Sequence, residues 1–220
     1  MNASEIVELL KHYSSLSYLD GMKRFSVDNS KALGVPLPAL RKVAKSIKRD
    51  HQLALELWAT GIHECRMLAS LVDDPKQVTP GQMDNWVADF YSWDMCDQVC
   101  GNLFDRTPYA IEKALEYSCS EKEYIKRAGF VLMAEFAVHD KKAKDEAFMQ
   151  FFPIIEREAW DDRNFVKKAI NWALRQIGKR NGKLGKTAKE CALRIAQQES
   201  KAAKWIAKDA LAEFEKKFGD

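Results

Sequence analysis

Glycine and proline are scarce in this chain, ten and six among 220 residues, and they are scattered along it. No run rich in Gly, Ser or Pro reads as a flexible linker, so one domain spanning residues 1–220 is expected. Strand signals are scarce too: no stretch alternates β-branched with polar residues, and no Asn-Gly turn lies between two such stretches. Nowhere do eighteen apolar residues run together, which excludes a helix long enough to cross a membrane. The opening Met1-Asn-Ala-Ser-Glu-Ile lacks the basic and apolar segments of a secretory signal, so a cytoplasmic location is expected.

Cysteine is present but unpaired in pattern. Cys65, Cys96, Cys100, Cys119 and Cys191 are odd in number and form no C-x-x-C, which argues against a disulfide framework or a zinc ribbon and for small core residues. The four histidines, His12, His51, His63 and His139, lack metal-ligand spacing. There is no H-E-x-x-H and no Gly-rich phosphate loop. Any chemistry is therefore expected to need neither metal nor cofactor.

What the chain does have is helix grammar and uneven charge. Thr79-Pro80-Gly81-Gln82 and Ser120-Glu121-Lys122-Glu123 match the capping box, and Thr107-Pro108 and Leu37-Pro38 place proline where a helix can begin. The class is all-α. Net charge is only +3, yet residues 163–208 carry thirteen Lys or Arg against two acids, Glu190 and Glu199, while the rest balances twenty-two bases against thirty acids. Clustered cations attract phosphates and release their counterions, so this segment suits a polyanion; a solvated helix face is the plainer alternative.

Five segments share a form, each opening on a polar or basic residue and continuing with small and apolar ones. They centre on Arg66, Cys96, Arg127, Lys168 and Lys204, which lie 30 to 41 residues apart. Each interval leaves room for one partner helix, the shape of a HEAT-type solenoid, an α-α superhelix of helical pairs. A compact non-repeating bundle is the alternative.

Three places could carry chemistry. On a helix over 165–179, Phe165, Val166, Ala169, Ile170, Ala173, Leu174 and Ile177 form an apolar stripe. Trp172 lies off it, beside Lys168, Arg175 and Lys179, as a contact surface for sugar or phosphate would, or as an indole packed on a neighbouring repeat would. Trp93, Cys96, Cys100 and Phe104 share a face that also holds Asp97. A carboxylate on an apolar face needs a partner or a purpose: a structural ion pair, or an anion in a cleft that stabilises positive charge or orients water. Arg127, on an otherwise apolar helix, can pair with Asp97 or grip a phosphate.

Together, Ser92-Trp-Asp-Met-Cys-Asp97, Tyr124-Ile-Lys-Arg-Ala128 and Phe165-Val-Lys-Lys-Ala-Ile-Asn-Trp-Ala-Leu-Arg175 resemble the AlkD-like DNA alkylation repair enzymes, over about Met22 to Lys208. The resemblance implies a curved stack of HEAT-like repeats with a basic concave face for double-stranded DNA. It implies a metal-free, monofunctional glycosylase that hydrolyses the N-glycosidic bond of positively charged N3- or N7-alkylated purines without flipping the base. Trp93 and Trp172 would contact deoxyribose and backbone, Asp97 would stabilise the sugar cation and position water, and Arg127 would hold the phosphate. Lys126, Lys167, Lys168, Arg175, Lys179, Arg180 and Lys204 are the candidate backbone contacts. Where the family's first repeat supplies an aromatic, this chain has Gly21, with Phe25 as its nearest substitute. The family also contains branches that bind DNA without glycosylase activity. No obligatory protein partner is implied, and a monomer is expected.

Overall fold

A computed structural model describes residues 1–219. The chain forms two compact units, Met1–Pro108 and the remainder from Tyr109 onward, though composition marks no boundary between them. Unit 1 contains α1 (Ala3–Lys11), α2 (Leu16–Arg24), α3 (Leu37–Ile47), α4 (His51–Ala59), α5 (His63–Val72), α6 (Pro80–Ala88) and α7 (Trp93–Asn102), followed by a 3₁₀ turn at Phe104–Arg106. Unit 2 contains α8 (Ala110–Ser118), α9 (Glu123–His139), α10 (Asp145–Met149), α11 (Phe151–Glu158), α12 (Asn164–Gly178), α13 (Gly182–Ala196) and α14 (Lys201–Phe218). No strand occurs among the described residues.

Each unit is built in two layers. In unit 1, α5 packs between α3 and α7, while α4 lies against α5 and α1. Trp58 of α4 stacks on Trp86 of α6, ring centres 4.0 Å apart and nearly parallel. In unit 2, α12 packs between α9 and α14, and α11 packs on α8 and α13. The five repeat anchors, Arg66, Cys96, Arg127, Lys168 and Lys204, stand on α5, α7, α9, α12 and α14, each the second helix of its pair. The longest interval, 127 to 168, holds two helices, α10 and α11, instead of one.

Hydrogen bonds reveal the stride of the repeat. In unit 2 they join residues 38 apart: Asn171 to Asp209, Arg175 to Glu213, Arg157 to Cys119, Arg194 to Glu156. In unit 1, Trp58 to Asp89 and His63 to Asp94 are 31 apart. Equivalent positions of successive helical pairs thus face each other, as stacking of repeats requires.

Small residues and caps set the local geometry. A Cβ at Gly129 of α9 would lie 2.3 Å from the backbone nitrogen of Ser118, so only glycine lets α8 approach this closely. Thr79 caps α6 by accepting from the Gln82 N–H at 3.1 Å, but Gln82 turns its amide to Asp73 at 2.7 Å instead of closing the box. Two expected starts fall late. Thr107 closes the 3₁₀ turn by donating to the Phe104 carbonyl, so α8 begins only at Ala110. Ser120 accepts from the Lys122 N–H, and α9 begins at Glu123.

Four cysteines, Cys65, Cys96, Cys100 and Cys191, are buried as expected, and burial pushes the Cys65 thiol up to about 11 and that of Cys191 up to about 12. Cys119 differs: it ends α8 and is exposed, with Arg157 donating to its sulfur. No described helix is long and apolar enough to cross a membrane.

Candidate nucleic-acid interface

In unit 1 the candidate residues stand on α7. Its apolar stripe, Met95, Cys96, Val99 and Cys100, is buried. Trp93 opens the helix and Asp97 follows one turn later; both are partly exposed. The face expected to hold all five residues is therefore divided: the cysteines turn inward, Trp93 and Asp97 lie at the surface, and Phe104 falls in the 3₁₀ turn, tilted against Trp86. Asp97 is engaged by neighbouring groups yet is not sealed from solvent.

Trp93 is held by its polar edge. Its indole N–H donates to the Phe25 carbonyl at 2.8 Å, tying the start of α7 to the end of α2. The Phe25 ring is 70% exposed beside this anchor. A Cβ at Gly21 would meet nothing within 4 Å, so the place of the missing aromatic is open space.

A buried histidine braces the start of α7. His63 Nε2 lies 3.1 Å from Asp94 Oδ2, and its Nδ1 lies 2.9 Å from the Tyr91 hydroxyl. Burial raises the Asp94 carboxyl, but the hydrogen bond and charge of His63 outweigh it and hold Asp94 below the usual carboxylate value. The partners of His63 lie 28 and 31 residues away, so its bracing role leaves no local signal.

In unit 2, the stripe on α12 is buried from Val166 to Ile177, while Phe165 at its start is partly exposed, and Trp172 lies off the stripe, partly exposed. Asn171, which no pattern singled out, is buried and donates to Asp209 at 2.6 Å. Arg127 of α9 is 5% exposed and donates to the Phe165 carbonyl at the start of α12.

The seven candidate backbone contacts separate into two groups. Lys126 is buried between Glu158 at 2.6 Å and Asp161 at 3.0 Å. Arg175 is held by Asp209 and Glu213, and Lys179 by Glu213 at 2.8 Å. Arg180 donates to the Ala137 and Ala143 carbonyls and lies over the Phe148 ring. Lys167, Lys168 and Lys204 are at least partly exposed, and Lys167 extends over the indole of Trp205, 5.1 Å from its centre. Trp205 itself is 40% exposed on α14, and because its cation comes from α12, no local pattern marks the pair.

A family model described as DNA alkylation repair enzyme matches residues 6–214. No curated protein matches the chain. A solved structure described as "A new family of proteins related to the HEAT-like repeat DNA glycosylases with affinity for branched DNA structures" is similar in fold, with TM-score 0.76 and 21% identity over 95% of this chain and 94% of that one.

Proposed function

The chain belongs to the DNA alkylation repair enzyme family, and on that premise we propose that it is a monofunctional glycosylase that excises positively charged N3- or N7-alkylated purines from duplex DNA by hydrolysis, without base flipping. The observation that carries this reading is the partial exposure of Trp93 and Asp97 one turn apart on α7, each on a second helix of the repeat, with Trp172 likewise exposed off the stripe of α12. Asp97 stabilises the developing sugar cation and positions water, the two indoles contact deoxyribose and backbone, and Arg127 holds a phosphate. The chemistry is undemanding: an alkylpurine already carries positive charge and leaves without strong protonation. The cation then grows on the sugar, where an anion and the electron-rich faces of indoles act best. Neither a histidine base nor a metal is required by this route. Lys167, Lys168 and Lys204 supply the backbone contacts with the fewest competing partners.

The test is incubation with duplex DNA containing N7-methylguanine, followed by alkaline cleavage at abasic sites. Wild type is expected to generate them, and folded Asp97→Asn to lose at least about a hundredfold in rate, the scale of removing one pre-placed electrostatic group. The near-complete burial of Arg127 favours a second reading, a non-catalytic HEAT-repeat protein that binds DNA or senses its structure. Tight duplex binding with no abasic sites would establish that reading instead.

A further inference from the structure

A second concentration of positive charge lies in unit 1, far in sequence from residues 163–208. Between Asp28 and Asp50 there is no acidic residue, but there are six cations: Lys31, Arg41, Lys42, Lys45, Lys48 and Arg49. Arg41, Lys45 and Lys48 recur at i, i+4 and i+7, one face at the C-terminal end of α3. With Arg49 they line an open cavity of about 400 Å³ floored by Ala44 and Leu71. Arg49 pairs with Asp74 at 3.3 Å. Arg41, Lys42, Lys45 and Lys48 are exposed, and none of them forms an ion pair among the described residues.

Like charges one turn apart on a helix repel, so the free protein carries this face at a cost. One cation near a helix C-terminus favourably meets the dipole; four exceed that need. Lys48 adds an independent sign. Its backbone adopts φ 67°, ψ −155°, a region nearly closed to residues with a Cβ and open to glycine. Here the chain keeps a charged side chain at a strained position, which points to a use for the charge.

We propose that this face of unit 1 is a second binding surface for duplex DNA, gripping backbone phosphates whether or not a lesion is present. The inference rests on the reading of the protein as a duplex-DNA binder and extends it to a surface outside the candidate catalytic residues. Seven residues of helix span about 10 Å, enough to follow a row of phosphates that advances about 3.4 Å per step on each strand. The lining residues include no aromatic platform on which unpaired bases could stack, which favours duplex over single strands. Cations over an apolar floor, without amide or carboxylate groups, contact backbone and read no base edge.

The experiment uses the full chain, an undamaged duplex and a four-way junction, with binding measured between about 50 and 200 mM salt. In Arg41→Gln/Lys45→Gln/Lys48→Gly, affinity for both DNAs is expected to fall at least about tenfold, and the slope of log K against log salt to shrink by about 2.7, at 0.9 per lost phosphate contact. Lys48→Gly alone is expected to melt at or above the wild-type temperature while its slope shrinks by about 0.9. Unchanged affinity and slope in the triple variant, with wild type binding normally, would overturn the second surface and leave the DNA-binding reading intact. So would Lys48→Gly that melts lower and binds as wild type. A wild type that binds neither DNA would overturn both readings together.

Discussion

Residues 29–49 and residues 163–208 are both rich in Lys and Arg, but the carboxylates that reach them do different things. In the first stretch Asp74 reaches only Arg49 at its end, and the buried acid that arrives, Glu64 of α5, is taken up by backbone. Its buried carboxylate accepts from the N–H groups of Leu33 and Gly34 at 2.7 Å and of Val35 at 3.1 Å, just before α3 begins. Gly34, at φ 80°, makes the turn that aims these donors inward. The cations of α3 are left to solvent. In the second stretch the acids are taken up by side chains: Asp209 and Glu213 hold Arg175 and Lys179, Asp161 holds Arg163, and Glu156 holds Arg194. Similar local composition therefore yields an uncompensated face in one unit and a ladder of ion pairs in the other.

The largest expected effect breaks the first arrangement. Glu64→Ala would leave three backbone N–H groups buried without acceptors and free the segment that starts α3. A loss of about 3 kcal/mol in unfolding free energy is expected, on the scale of removing a buried charged acceptor. Chemical denaturation of wild type and variant measures it; a loss under about 1 kcal/mol would mean that solvent or a shifted loop replaces the carboxylate.

Converting the second stretch into the first is the next largest effect. Asp209→Asn/Glu213→Gln keeps a side-chain acceptor for Asn171 while releasing Arg175 and Lys179. Stability should fall by only about 1 kcal/mol, because these pairs are partly exposed. Affinity for undamaged duplex should rise several-fold, and the salt slope should steepen by up to about 1.8 if both cations reach phosphates. Unchanged binding would mean that neither Arg175 nor Lys179 faces the nucleic acid even when freed, leaving Lys167, Lys168 and Lys204 as the contacts of unit 2.

This contrast also shows which parts of the molecule local sequence could display. Helical class, the apolar stripe of α12 and the off-stripe position of Trp172 follow from a 3.6-residue period, which acts over one or two turns. The acids that neutralise Arg175 and Lys179 lie just past residues 163–208, on the next repeat, 34 to 38 residues on. Nothing in a local window announces them. The same holds for Trp93, whose indole is anchored on the Phe25 carbonyl 68 residues earlier, and for Lys126, expected as a backbone contact but taken up by Glu158 and Asp161 from farther along the chain. Stacked repeats turn a regular sequence stride into contacts, so the stride is the signal. At 31 residues in unit 1 and 38 in unit 2, it was too irregular to read as a single period.

The smallest expected effect separates interior from surface carboxylates within unit 2. Burial raises Asp161, but hydrogen bonds and charge from Arg163 and Lys126 outweigh it, so its folded value lies below the ordinary 3.8. Because the folded carboxyl is the stronger acid, folding favours its ionised form. The stabilisation is fully present above the unfolded value near pH 4 and is lost as pH falls through the folded one. Denaturation midpoints of wild type should therefore drop on acidification below about pH 4 more steeply than those of Asp161→Asn, which has no proton to take up at that position. Parallel profiles would mean that the cluster around Lys126 contributes charge balance without favouring the ionised aspartate in the folded state. The acid sensitivity of unit 2 would then belong to its surface ladder, where Glu213 is likewise held low by Lys179 and Arg175 against the effect of burial.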